Sequence, residues 1–381
     1  MLSLSAVIAE LPLIDHHAHA ALARDLSRPE FEQLITESDR APAAGTSGFD
    51  SQLGFAIRRW CAPVLGLEPY ANEADYLRRR GAFSETDVAR RFLSAARSSW
   101  LLLDTGFEAD GSLRLGEMAE LSGATASEVV RIEAVAEQAA LTAGGGAAAF
   151  AGQFADALRR RATAAVALKS IIAYRLGLDF DPAPPTKAEV TAAAGQWLRE
   201  IEDGGRARLT DPVLLRHVLW TGTELGLPVQ LHTGFGDPDL DLSRCDPALA
   251  SRFLADIGSR GVPIMLLHCY PFHRSAGYLA QAFPHVYLDV GEAINYVGAR
   301  ATAIVAESLE LAPFGKVLYS SDAYGLPELH FLGALLWRRA TARVLGDWVA
   351  AGDWTEADAI RVATMIASGN AARVYRLGDA V

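Results

Sequence analysis

At 381 residues, half of them hydrophobic, the chain can bury one large core or two ordinary ones. A formal charge of −11 argues against a nucleic-acid partner or an anionic membrane, both of which demand a basic face. The three cysteines, Cys61, Cys245 and Cys269, are odd in number and far apart, so neither a disulfide framework nor a zinc knuckle is expected. The N-terminus lacks a basic start followed by a long apolar core, and no run approaches a membrane span, so the reading is a cytoplasmic protein.

The first element is the apolar run Leu11–Ile14, closed by Asp15-His16-His17-Ala18-His19. Side chains alternate along a strand, so His17 and His19 are expected on one face with Asp15 behind them, and His16 on the other. Two neutral imidazoles so placed can grip one transition-metal ion. A largely helical tract, residues 25–97, follows and is too long for a simple connection. It reads either as a lid over the site or as a dimerisation surface.

Short apolar runs follow at Trp100–Asp104 and Val129–Glu133. Phe150, Phe154 and Leu158 recur every four residues and predict an amphipathic helix over 147–161, beginning after Gly144, Gly145 and Gly146. Ala164–Lys169 is strand-like, and a second helical insertion leads from it to about Leu225. Four more strand-like runs, Pro228–His232, Val262–His268, Val286–Asp289 and Lys316–Asp322, alternate with helical patterns near 248–259, 276–283 and 301–311.

Eight strand-like runs separated by helices predict an α/β protein with a parallel sheet closed into a (β/α)8 barrel, with helical insertions after strands 1 and 4. An open doubly wound sheet would want a glycine-rich phosphate turn after the first strand, where His17-Ala18-His19 stands instead. The whole chain, 1–381, reads as one domain, with 328–381 as helices packed on the barrel.

In such a barrel the reactive face lies at the carboxyl ends of the strands. His17, His19, Lys169, His232, His268 and Asp322 all close strand-like runs. Four imidazoles and a carboxylate suit Zn²⁺, and also Mn²⁺, Fe²⁺ or Co²⁺. A lysine ammonium would repel the metal. Lys169 therefore reads either as an amine that has reacted with carbon dioxide to give an anionic carbamate, or as a cation facing an acidic substrate or a neighbouring carboxylate. Arg131, Tyr174, Arg175, Tyr270, His273 and Arg274 fall just past strand ends, where an arginine can clasp a carboxylate through two hydrogen bonds. Asp237, Asp239 and Asp241 lack the spacing of a calcium loop.

The ordered set His17, His19, Lys169, His232, His268 and Asp322 resembles the amidohydrolase superfamily of metal-dependent hydrolases. The likeness runs from Leu13 to Gly369-Asn370-Ala371-Ala372-Arg373-Val374-Tyr375, which is similar to the final helix of its amidohydrolase-related branch. Lys169–Arg175 and His232–Asp237 resemble the amidohydrolase domain fused to glutamine synthetase in some fungal and plant proteins. The resemblance implies one or two divalent ions, zinc first. In the two-metal form His17, His19 and Asp322 hold one ion and His232 and His268 the other, with N6-carboxylysine at Lys169 between them. In the one-metal form His17, His19, His232 and Asp322 are ligands and His268 assists catalysis.

The implied reaction is hydrolysis of an amide or related C–N bond by metal-activated water. Asp322 is the general base, and the substrate is small and bears a carboxylate, of N-acyl or γ-glutamyl type. A non-oxidative decarboxylase or sugar-acid isomerase would use the same site, and an inactive metal-binding scaffold is the third reading. A homodimer is expected from family habit.

Overall fold

The computed structural model describes residues 3–107, 109–142 and 146–378; Gly144 and Gly145, expected to precede the helix over 147–161, lie outside them. Seven strands form one parallel sheet in chain order: β1 (Leu13–Ala18), β2 (Ser98–Asp104), β3 (Thr125–Arg131), β4 (Ala167–Ser170), β5 (Val229–Thr233), β6 (Ile264–His268) and β7 (Val286–Leu288). The eighth expected run is an extended segment without a regular ladder. It still closes the ring: Leu318 N donates to Leu288 O of β7, while His16 N donates to Tyr319 O and Asp322 N to His17 O of β1. Side chains replace the missing ladder bonds there, because Ser320 Oγ is spent on Asp289 and Ser321 N on Asp15. The result is a (β/α)-barrel.

The inward side chains explain its filling. Ile14, Leu102, Val129, Ala167, Met265, Leu267 and Leu318, drawn from strands all round the ring, make one apolar cluster inside the barrel. Ala371, Val374 and Tyr375 join it from the last helix, Asn370–Tyr375, and Leu377 from just beyond, so that helix is the barrel floor. Leu13, one residue away from Ile14, belongs instead to the outer core between sheet and helices.

Helices cover the outside, and their ends are set by ordinary capping. Thr186 and Glu189 form a reciprocal cap on Lys187–Glu202, and Ser84 Oγ accepts from Asp87 N at the start of Glu85–Ala96. The helix expected over 147–161 is Ala147–Ala162, with Phe150, Phe154 and Leu158 fully buried. The 25-residue helix Pro327–Ala351 packs against Glu85–Ala96, Ala301–Ser308 and Leu4–Glu10. Between β1 and β2 the chain makes short helices, and the stretch 33–39 folds back over the carboxyl ends of the strands. No helix among the described residues is long and apolar enough to cross a membrane.

Strict alternation fails in β1. Asp15 pairs with Leu101 and Ala18 with Leu103, so three steps of β1 match two of β2, as in a bulge. His16 points into the barrel like Ile14, as alternation from Ile14 requires, and so does not face away from the site. Its ring bonds Asp289 Oδ2 at 3.0 Å and the Tyr375 hydroxyl at 2.9 Å. The extra residue then brings His17 to the inner side as well. Asp15 lies behind them, accepting from Ser321 N and Ser321 Oγ.

Candidate metal centre

Every side chain of the site hangs from the carboxyl end of a strand or the closing segment. His17 Nε2 stands 3.1 Å from Asp322 Oδ1, His19 Nε2 3.6 Å from the same oxygen, and His268 Nδ1 3.3 Å from Asp322 Oδ2. Lys169 Nζ is 3.3 Å from His17 Nε2. His232 stacks near His268, with ring centroids 4.8 Å apart, and Tyr174 covers its other side at 4.4 Å. Donors held about 2.0–2.2 Å from a tetrahedral ion are separated by about 3.3–3.5 Å, which is the spacing around Asp322. The structure thus brings together all six residues expected from the sequence.

The protonation states suit a cation. Burial pushes His17, His232 and His268 well below the ordinary imidazole value and His19 down to about 4, so each ring is neutral with a free lone pair. Gln230 fixes which nitrogen of His17 is free. Its amide nitrogen donates to His16 O and the Tyr375 hydroxyl, so its Oε1 must accept from His17 Nδ1 at 2.8 Å. His17 Nε2 is left as the donor atom facing the site. Asp322 Oδ1, His19 Nδ1, His232 Nε2 and His268 Nδ1 are buried without a hydrogen-bond partner. Unpartnered lone pairs in such numbers are costly to bury unless a cation is shared among them, so the residues fit a divalent ion.

Lys169 is 2 % exposed, and burial lowers its pKa against the pull of Asp104 and Asp322. A buried amine that gives up its proton more readily is a better nucleophile. Asp322 is pushed up to about 6, chiefly by burial and despite His19 and Lys169. Its positive φ of 47°, like the 66° of His268, is a conformation ordinary residues adopt sparingly, here imposed where the chain turns off the barrel rim.

Two buried carboxylates complete the centre without having been singled out from sequence. Asp104, the last residue of β2, has donor atoms within 4.8 Å of those of His17 and His19. Its own oxygens are already engaged: Oδ2 accepts from Arg131 Nε at 3.0 Å and Nη2 at 2.7 Å, and Oδ1 from Gly106 N. The Arg131 guanidinium holds Asp104 well below the usual carboxylate range even though burial alone would raise it. Asp289 ties the rim together, accepting from His268 N, Gly291 N, Ser320 Oγ and His16. The sequence signal for Asp104 was present, since it closes an apolar run as Asp322 does.

A cavity of about 440 Å³ opens above the centre. His19, Lys169, His232, His268 and Asp322 form its base, and Leu34, Glu37 and Asp39 of the 33–39 stretch form part of its wall. Of the residues expected to meet substrate, Arg131, Tyr174 and Arg175 line it. Arg131 is committed to Asp104, whereas Arg175 Nε and Nη1 are buried without a partner. His273 and Arg274 are corrections. They begin the helix His273–Ala282, and they bond Glu307 and Glu310 on the neighbouring helical layer and do not line the cavity. Tyr270 stacks parallel to His273, also outside the lining.

A barrel with a histidine, lysine and aspartate cluster at the strand ends defines a class, and comparison with known proteins gives its family. The amidohydrolase family model matches residues 14–377, so the chain belongs to that family. It is 30 % identical to protein fluG of Emericella nidulans over 99 % of its length, and spans 47 % of that protein. Among solved structures, a chain from Lactobacillus casei ATCC 334 assigned by inference to the metal-dependent hydrolases is similar over 100 % of this chain and 99 % of that one. The TM-score is 0.79 and the identity 27 %. A uronate isomerase from Bacillus halodurans C-125 shares the fold at TM-score 0.64 and 13 % identity, covering 99 % of this chain and 96 % of its own.

Proposed function

We propose that the protein hydrolyses an amide or related C–N bond in a small carboxylate-bearing molecule, using a divalent metal. The observation that carries this is the convergence of His17, His19 and His268 on Asp322, with Lys169 beside His17, at the base of the cavity. His17, His19, His232, His268 and Asp322 would hold the metal, zinc being the ion best suited to this donor set, with room for a second ion if Lys169 is carboxylated. When bound, the metal supplies Lewis acidity toward the scissile carbonyl and makes water a better nucleophile.

The chain's own residues do the rest. Asp322, at the base of the cavity, takes a proton from the attacking water and returns it to the leaving nitrogen. Gln230 orients His17 from below, and Asp104 balances Arg131 so that its charge does not oppose the metal. Arg175 offers two unengaged donors to a substrate carboxylate. The 33–39 stretch acts as a lid, excluding water from the base of the cavity.

The test is metal content followed by turnover. Purified protein reconstituted with Zn²⁺ or Mn²⁺ should hold one or two equivalents and release amine from a panel of N-acyl and γ-glutamyl amides. Asp322→Asn should keep the fold and part of the metal yet lose turnover. Absence of stoichiometric metal would sink the reading. Release of carbon dioxide from an aromatic acid, or aldose–ketose exchange of a sugar acid, would replace hydrolysis by decarboxylation or isomerisation at the same site.

A further inference from the structure

The cavity walls differ in what they offer. Beyond β7, Glu292 and Asn295 are 5 % and 2 % exposed, yet Glu292 Oε2 and Asn295 Oδ1 line the cavity without a hydrogen-bond partner. Asn295 spends Nδ2 on Ser321 O at 3.2 Å, which leaves its oxygen as the free end. Glu37, from the 33–39 stretch, closes the same corner. It accepts from the Tyr296 hydroxyl and lies within hydrogen-bonding reach of Glu292, and burial raises the pKa of both carboxyls. On the sector of β3 and β4 stand Nε and Nη1 of Arg175, without a partner although its Nη2 lies 3.6 Å from Glu137 Oε1; Arg208, also in the lining, is paired with Asp239. Strands follow chain order round the ring, so β3 and β4 lie across from β7 and the closing segment. Unsatisfied acceptors therefore occupy one wall and the unsatisfied donors of Arg175 the other, with the histidine–aspartate cluster between.

We propose that the cavity is shaped for a small molecule that places a free primary ammonium on Glu37, Glu292 and Asn295 and a carboxylate on Arg175. An ammonium carries three donors and no acceptor, which matches a corner with acceptors and no free donor. Two buried carboxyls at one corner favour a cation over neutral hydroxyls, because an ammonium compensates the negative charge that burial otherwise penalises. Apolar groups would leave both oxygens unsatisfied. The inference rests on the hydrolase reading only for where the cleaved bond lies, between the two ends. Within that reading it selects amides whose acyl part carries a free ammonium and whose leaving amine carries the carboxylate, so that the scissile bond lies between the two charges. It rejects simple N-acyl amino acids, whose acyl part has no ammonium to place there.

The experiment is titration calorimetry on the Zn²⁺-loaded full chain with matched acids that differ by the ammonium alone: L-glutamate and glutarate, L-aspartate and succinate, 5-aminopentanoate and pentanoate. At least one amine should bind ten-fold or more tightly than its partner. Glu292→Gln and Glu37→Gln should each cut that preference about ten-fold while changing affinity for the deamino partner less than two-fold, which a general loss of fold would not do. Equal affinities within all three pairs overturn the proposal. So does glucuronate binding that exceeds the amines and falls in Glu292→Gln, which would assign the corner to hydroxyls. Amine preference without any amide hydrolysis upholds the corner and refutes the hydrolase reading. Hydrolysis at equal kcat/KM for free and N-acetylated substrates does the reverse.

Discussion

Replacing Asp104 by Asn tests whether an ion pair beside the metal centre sustains both the fold and the metal. Asp104 is 1 % exposed, and the Arg131 side chain is 12 % exposed, so both charges sit in a medium that punishes an unpaired ion. Two hydrogen bonds, at 3.0 and 2.7 Å, join them side by side. Asp104→Asn would leave the guanidinium buried and unbalanced, a loss of about 3–5 kcal/mol. The stranded cation would also oppose a metal held by His17 and His19, weakening its binding by about 10–100-fold, as loss of a supporting group does.

Urea denaturation of metal-free protein at pH 7 reads the first effect and Zn²⁺ titration calorimetry the second. The double variant Asp104→Asn/Arg131→Met removes both charges and should return to within about 1 kcal/mol of wild type, since a buried pair contributes little beyond an apolar replacement. An Asp104→Asn protein as stable as wild type with unchanged Zn²⁺ affinity would refute the argument. A double variant as unstable as the single one would refute it too.

Three further outcomes follow from the structure. Lys169→Ala should lose metal and turnover, and added formate or acetate should restore part of both if the lysine acts as a carbamate; rescue by methylamine instead would identify it as a cation. His330 is buried, and burial pushes it from 6.5 down to about 3, so the unfolded chain takes a proton across that window that the folded one refuses. Stability of metal-free protein should then fall with falling pH, and His330→Leu should flatten urea midpoints between pH 6.5 and 4 by up to about 1.4 kcal/mol per pH unit. Gly234 has φ +79°, and a Cβ there would meet Tyr270 O at 2.3 Å, so Gly234→Ala should cost about 2–5 kcal/mol. Gly226→Ala, at φ +72° with nothing within 4 Å, should cost about 1 kcal/mol in the same thermal melts.

The barrel and the cluster at its rim were legible because both are written in short-range pattern. An apolar run fixes a strand, and a histidine, lysine or aspartate closing it can only emerge at the rim. The departures come from what pattern does not encode. A single bulge residue in β1 turns His17 inward beside His16, and no periodicity marks where a bulge will fall. Asp104 closes its run as visibly as Asp322, but a lone aspartate at a strand end has many uses, and its partner Arg131 reads equally well as a substrate clasp. Glu37 and Glu292 come from a loop and a rim helix whose paths depend on tertiary packing. His273 and Arg274 lie close to a strand end in sequence, yet the helix they begin carries them to Glu307 and Glu310.

The floor of the barrel also sets an order of assembly. His16 and the Tyr375 hydroxyl meet across a separation of 359 residues, and the same hydroxyl receives the amide that fixes the His17 tautomer. The first strand therefore reaches its working geometry only after nearly every other element has docked. Contacts so distant along the chain slow folding and prolong open forms with unpaired strand edges. An early, half-closed barrel would present His17 and His19 without Gln230 behind them, able to catch a metal loosely and in the wrong register. Correct metal loading is thus expected to depend on closure by the last helix.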